Sequence, residues 1–254
     1  MQFRHIRHAT FIIGINGKNI LVDPMLSQKG SMQPIPDVPD KSWNPTAELA
    51  VPIETVLDYD AAIITHMHRD HFDEAASKLL PKDRPVFCQP EDENRLKDKG
   101  FEKVYAVLEG TEWEGIRITR TAGRHGYGAT ALRLAPVSGF VLSAPGEPVI
   151  YITGDTVYYS CIEKTLESYK PDVVISFSGE ARFRYGKPIT MNSQDILAVC
   201  RKLPGARVVC VHLEAWNHCR LTRKALSDFA ASNGIGGQIH IPSDGELMEF
   251  SLPG

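Results

Sequence analysis

Residues 61–73, AAIITHMHRDHFD, set three histidines (His66, His68, His71) and two aspartates (Asp70, Asp73) directly behind a short apolar run. Such a run reads as a buried strand, and a chain leaving a strand end can turn sharply and aim successive side chains into one cleft. Neutral imidazoles with a carboxylate are ligands for zinc, manganese or iron. With 9 histidines in 254 residues, His-x-His-x-Asp-His arises by chance on the order of once in a thousand such chains. A solvated polar loop has no need of three histidines, so the stretch predicts a metal site at a strand end.

On the N-terminal side, FIIGINGKNILVD (11–23) puts Asn16 and Gly17 between two apolar runs, a pair that takes the positive φ angles of a tight hairpin turn. Residues 27–54 are rich in proline and polar side chains and read as an irregular insertion of the kind that lines sites. On the C-terminal side, β-type runs are predicted at about 85–88, 103–107, 115–121, 129–135, 138–142, 148–153, 172–176, 207–212, 238–241 and 246–250. Helical spacing of apolar residues falls at about 73–80, 91–98, 157–168, 192–203 and 221–233. No linker divides these elements, which predicts one α/β domain over residues 1–254 with paired sheets covered by helices.

THMHRDH resembles the HxHxDH signature of the metallo-β-lactamase superfamily. RHATFIIGINGKNILVDP (7–24), TGDTVYY (153–159), ARFRYGKPITM (181–191) and VHLEAWNH (211–218) are similar to landmarks of its branch containing ascorbate-6-phosphate lactonase-like proteins and phospholipase-D-type hydrolases. Phe72 departs from glyoxalase-II-like members, which have a small residue there. The resemblance implies an α/β (α+β) αββα sandwich and a site for two divalent metal ions, zinc first, with manganese or iron as alternatives. It implies that His66, His68 and His125 hold one ion, Asp70, His71 and His212 the other, and that Asp155 is shared, with a bridging hydroxide as nucleophile and Asp70 as a proton acceptor. Each position has local support. His125 sits among glycines in TAGRHGYG, Asp155 follows the apolar run VIYIT, and His212 ends ARVVCV. Asp155 competes with Thr156 to cap the following helix, and His218 is the rival of His212.

Other candidates surround this set. His8 reads as a packed residue or as a hydrogen-bond partner of a ligand, and Asp23 as either an orienting carboxylate or a turn residue. Loop 180–190 interleaves Arg182, Arg184 and Lys187 with Phe183 and Tyr185, so its cations can receive an anionic group of a substrate or simply face water. Tyr158 is a candidate wall. A net charge of -3 gives no general attraction to phosphate backbones, and no nucleic-acid partner is expected. Five scattered cysteines without CxxC spacing suggest free thiols rather than disulfides or a zinc knuckle. With no signal-type N-terminus and no long apolar span, a cytoplasmic protein acting on a small molecule is expected. The predicted function is metal-dependent hydrolysis of a lactone, ester or phosphodiester. An iron-containing redox enzyme and a nucleic-acid processing protein are the alternatives that the same scaffold hosts.

Overall fold

In the computed structural model, which describes residues 1–252, strands β1 (Gln2–Arg7), β2 (Thr10–Ile15), β3 (Lys18–Val22), β4 (Ala61–Ile64), β5 (Val86–Cys88) and β6 (Val104–Ala106) lie side by side in chain order. Strands β7 (Gly110–Trp113), β8 (Ile116–Ala122), β9 (Ser138–Ser143), β10 (Ile150–Ile152), β11 (Val173–Phe177), β12 (Arg207–Val211) and β13 (Ile239–His240) form a second sheet, also in chain order. Strand β14 (Leu247–Glu249) returns to pair with β1. The helices are α1 (Ile53–Leu57), α2 (Glu74–Leu79), α3 (Glu93–Asp98), α4 (Gly128–Leu134), α5 (Ser160–Tyr169), α6 (Ser193–Lys202) and α7 (Arg223–Ser232).

Side-chain alternation explains the layering. In β4, Ala61 and Ile63 face the space between the sheets with Phe11, Phe140 and Ile175, while Ala62 and Ile64 pack outward with Ala76 of α2 and Leu96 of α3. In β11, Val173, Ile175 and Phe177 face inward and Val174 outward, against Ile162 of α5 and Ile196 of α6. A strand covered on both faces is apolar throughout rather than alternating, which is why AAII and DVVIS carry so little polarity. The result is the expected αββα sandwich.

Strands β3 to β6 and β10 to β13 run parallel within their sheets, so their C-terminal ends open along shared edges. The hairpin forms as expected, with Asn16 and Gly17 at φ 49° and 70°. Two expectations are corrected. Residues 129–135 are not a strand; 129–134 fall in α4, which has no buried residue, and Ala135 is its C-cap, followed by Pro136. Helix α5 starts at Ser160, and its N-cap position, Tyr159, makes no side-chain cap. Thr156 does not cap it either, because its hydroxyl accepts from the Arg124 amide at 3.0 Å.

The insertion at 27–54 is tied over the strand ends. The buried Arg7 guanidinium donates to the carbonyls of Met25, Ser27 and Ala47 at 2.7–2.9 Å. Asn44 and Asn217 exchange hydrogen bonds of 2.9 and 2.8 Å. No helix among the described residues is long and apolar enough to cross a membrane.

Candidate metal centre

Four strand ends deliver the site. Strand β4 runs into His66, His68, Asp70 and His71; β8 leads to His125, β10 to Asp155 and β12 to His212. Gly154 makes the turn before Asp155 at φ 63°, and a Cβ there would lie 2.3 Å from the Ser138 carbonyl oxygen, so no other residue fits. His212 and Asp23, neither of them glycine, take φ 65° and 42°. Such left-handed positions cost about 1 kcal/mol or more and persist where surroundings enforce them.

All seven histidine and aspartate residues of the implied ligand set come together. His66, His68 and His125 form one group, His66, His71 and Asp155 a second, and His8, Asp70, His71 and His212 a third, each with ligand atoms within 4.8 Å of one another. Asp155 lies between them. Its Oδ2 is 3.3 Å from His71 Nε2 and 3.4 Å from His125 Nε2, and its Oδ1 is 3.3 Å from His212 Nε2. Asp70 Oδ2 is 3.7 Å from both His71 Nε2 and His212 Nε2. These separations suit a tetrahedral ligand set, whose members stand about 3.4 Å apart when bonds to the ion are about 2.1 Å. His71 Nε2, His212 Nε2 and both Asp155 oxygens are buried yet make no hydrogen bond. Buried polar atoms are normally satisfied, and at these four atoms lone pairs converge without bonding one another, as a cation requires, whereas His66 Nε2 meets His68 Nδ1 at 2.9 Å. The residues therefore fit a metal.

The far nitrogens of the rings are anchored, as metal ligands need. His71 Nδ1 meets Asp23 Oδ2 at 2.8 Å, His125 Nδ1 meets the Ile189 carbonyl at 2.8 Å, and His66 Nδ1 meets the Thr65 hydroxyl at 3.1 Å. Asp23 also accepts from the Thr65 amide and hydroxyl, so its orienting reading holds while it shapes the turn as well. Cys219 Sγ stands 3.5 Å from His212 Nδ1. Burial pushes the Asp155 carboxyl up, but His212, His71 and His125 together outweigh it and hold it well below the usual range. Asp70 is likewise low: burial raises it, and His71, His212 and His8 more than reverse that. Burial lowers His71, yet Asp155, Asp70 and Asp23 together carry it well above an ordinary imidazole. Burial, then His71 and His68, leave His66 neutral, with its value well below the ordinary one. A cation between the carboxylates supplies the charge balance that a proton on His71 otherwise supplies, so metal uptake and protonation compete.

A cavity of about 270 Å³ adjoins the cluster, lined by His68, Arg69, Asp70, His125 and His218 together with Ile35, Pro36, Leu134, Phe183 and Ile189. Pro36, Leu134 and Phe183 also border an outer hollow of about 550 Å³ that holds Arg133, Arg184 and Tyr185. A cavity of about 360 Å³ beside Asp172, Arg207 and His240 opens at the opposite strand ends, away from every ligand group among the described residues.

The four proposed substrate contacts separate. Arg184 lines the outer hollow. Arg182 is bound to Glu180 of its own loop. Lys187 lies 5.1 Å from the Tyr127 ring, and the Tyr158 hydroxyl donates to Glu163 at 3.3 Å. His218, the rival of His212, is buried nearby with Nε2 3.9 Å from Asp70 Oδ2, but belongs to none of the three ligand groups. The apolar wall of Ile35, Leu134 and Ile189 escaped sequence reasoning, because nothing local links a proline-rich insertion, a short exposed helix and a loop.

Fold and site together define a metal-centre protein of the metallo-β-lactamase type. The chain belongs to the beta-lactamase superfamily, whose domain matches residues 18–213. It is 36% identical over 254 residues to the UPF0173 protein YddR of Bacillus subtilis (strain 168), covering 98% of this chain and 100% of that one. A UPF0173 metal-dependent hydrolase of Xanthobacter autotrophicus is 28% identical over 82% of each chain. Among solved structures, isothiocyanate hydrolase from Delia radicum gut bacteria is 36% identical with a TM-score of 0.94, covering 99% of this chain and 100% of that one. A possible metal-dependent hydrolase from Veillonella parvula is 30% identical with a TM-score of 0.95, over 98% of each chain.

Proposed function

We propose that the protein is a dinuclear metal-dependent hydrolase of small electrophiles with an apolar tail, with isothiocyanates as the substrate class. The observation that carries this reading is the wall of Ile35, Pro36, Leu134, Phe183 and Ile189 facing the histidine–aspartate cluster across one cavity. Of the substrates expected from sequence, phosphodiesters suit it least. Of the nearby cations, Arg69 borders the cavity but donates to the Gln33 carbonyl at 2.8 Å, Arg182 is engaged by Glu180, and Arg184 stands in the outer hollow. The 36%-identical isothiocyanate hydrolase supports the same class.

His66, His68 and His125 would hold one divalent cation and Asp70, His71 and His212 the other, with Asp155 shared. Such a pair supplies a Lewis acid and brings the pKa of water toward about 7. In the reaction, the oxygen of water adds to the central carbon of R–N=C=S and the C–N bond breaks. Both water protons end on nitrogen, leaving R–NH2 and carbonyl sulfide. The apolar wall holds R and excludes bulk water, which strengthens every charge interaction in the cavity. Asp70 borders the cavity, whereas Asp155 does not, so Asp70 is the carboxylate placed to take a proton, at its oxygen other than the Oδ2 that faces His71 and His212, and return it to the departing nitrogen. His218 also borders the cavity and stays neutral, because burial pushes it down to about 4 against the pull of Asp70.

The test is kcat/KM of the metal-loaded protein for an arylalkyl isothiocyanate against a panel of lactones, esters and phosphodiesters. An isothiocyanate leading by about tenfold or more supports the reading, since an apolar pocket supplies discrimination of that order. A phosphodiester or lactone in the lead contradicts it, and oxygen consumption by iron-loaded protein points to redox chemistry instead.

A further inference from the structure

His8 stands outside the ligand set that the resemblance implies, and its surroundings are those of a ligand. It occupies the two-residue turn between β1 and β2 at φ 58°, a position that glycine, asparagine or aspartate fills with less strain. A histidine held there needs a compensating role for its ring. The ring is fully buried, and neither nitrogen has a hydrogen-bond partner. Its Nε2 is 3.5 Å from Asp70 Oδ2, matching the 3.7 Å at which His71 and His212 stand from the same oxygen. The ring lies on that of His212, centroids 3.8 Å apart, and the His8 carbonyl accepts the His212 amide at 2.8 Å. The turn that carries His8 is thus locked to the strand end that carries His212.

We propose that His8 is a further ligand of the cation held by Asp70, His71 and His212. A hydrogen-bond role is the weaker explanation: at 3.5 Å from Asp70 the ring makes no bond of proper geometry, and neither ring nitrogen has another partner. With His8 and the shared Asp155, that ion would draw five ligands from this chain, three of them imidazoles, against four at the other. The two positions are then unequal, since His66, His68 and His125 share only the one carboxylate, Asp155, whereas the other ion also has Asp70.

This inference rests on the metal-centre reading, and metal binding without turnover separates the two. Metal-free parent, His8→Ala and His8→Gly are titrated with Zn(II) under chelator competition and with Co(II), whose visible absorption reports coordination. Glycine accepts the backbone angle freely, so the second variant guards against loss of fold. Both variants are expected to bind one metal as the parent does and the other at least about tenfold more weakly. The Co(II) spectrum of that site should change, and added imidazole should restore it. Parent-like affinities and spectra in both variants overturn the assignment of His8 while leaving the centre intact. A parent that takes up no metal overturns both.

Discussion

Exchanging Asp23 for asparagine separates the orientation of a ligand from the packing around it. Asp23 is fully buried; its Oδ1 accepts from the Thr65 amide at 2.7 Å, and its Oδ2 accepts from the Thr65 hydroxyl at 2.7 Å and from His71 Nδ1 at 2.8 Å. Asparagine keeps an oxygen for the Thr65 amide but turns an NH2 toward the other two. The hydroxyl can rotate and accept. His71 can accept at Nδ1 only by carrying its proton on Nε2, the nitrogen that faces Asp70 and Asp155. That tautomer has no lone pair for a metal. Losing such an orienting partner lowers metal affinity about 10- to 100-fold, or about 1.4–2.8 kcal/mol. Stability should change less, because volume is kept and burial already raises the Asp23 carboxyl. Asp23→Ala, by contrast, strands three buried donors at about 1–3 kcal/mol each and should weaken the fold itself. The assay is chelator competition for each metal, with urea unfolding as control. Parent-like affinity for both metals in Asp23→Asn would refute the tautomer reasoning.

The same geometry predicts other outcomes. His66→Ala or His68→Ala should bind less metal and turn over more slowly, and unchanged stoichiometry by elemental analysis would remove these residues from the ligand set. Asp155→Asn, which weakens a shared anionic ligand at nearly constant volume, should damage turnover more than folding; full activity with one metal lost would show that the site works with one ion. Phe183→Ala should raise KM for arylalkyl isothiocyanates about tenfold through roughly 1–2 kcal/mol of lost apolar contact, leaving a methyl-sized substrate nearly unaffected. Equal effects on both would place Phe183 outside the substrate path. Without metal, burial keeps His8, His66 and His218 neutral in the fold, the last down to about 4, whereas unfolded imidazoles protonate near 6.5. The unfolded chain binds more protons in that window, so stability should fall as pH drops from about 6.5 toward 4, although Asp23 and Asp195, both raised by burial, oppose this. His71 and His212, raised by the carboxylates, are charged in both states below about 6.5 and drop out of that window, so a urea midpoint at pH 4.5 equal to that at pH 6.5 would contradict the sign.

Much of the site was readable because it is built at strand ends, where a buried apolar run and its abrupt polar sequel are adjacent in sequence: AAII before THMHRDH, VIYIT before GDT, ARVVCV before His212. The αββα layering followed from a family resemblance and from strands too apolar to have a wet face. Residues 129–135 misled because Ala129 and Ala131 alternate with polar neighbours as in a strand, while α4 buries none of its side chains and offers no amphipathic stripe. The premature start of α5 has a tertiary cause: Val157 and Thr156 are held by Arg124 across the cleft, which keeps the chain extended up to Tyr159. His8 and His212 are 204 positions apart, and no local pattern predicts that their rings meet. The cations of 180–190 read equally as an anion receptor or a solvated face, and the pairing of Arg182 with Glu180 within the same loop was not visible in that pattern.

The most direct test is a titration of metal-free protein with Zn(II) in which isothiocyanate turnover is read at each addition. Activity should be absent at the start, rise with metal and level off at two equivalents. Turnover that is independent of added metal, or complete at one equivalent, would contradict a dinuclear hydrolytic centre built on His66, His68, Asp70, His71, His125, Asp155 and His212.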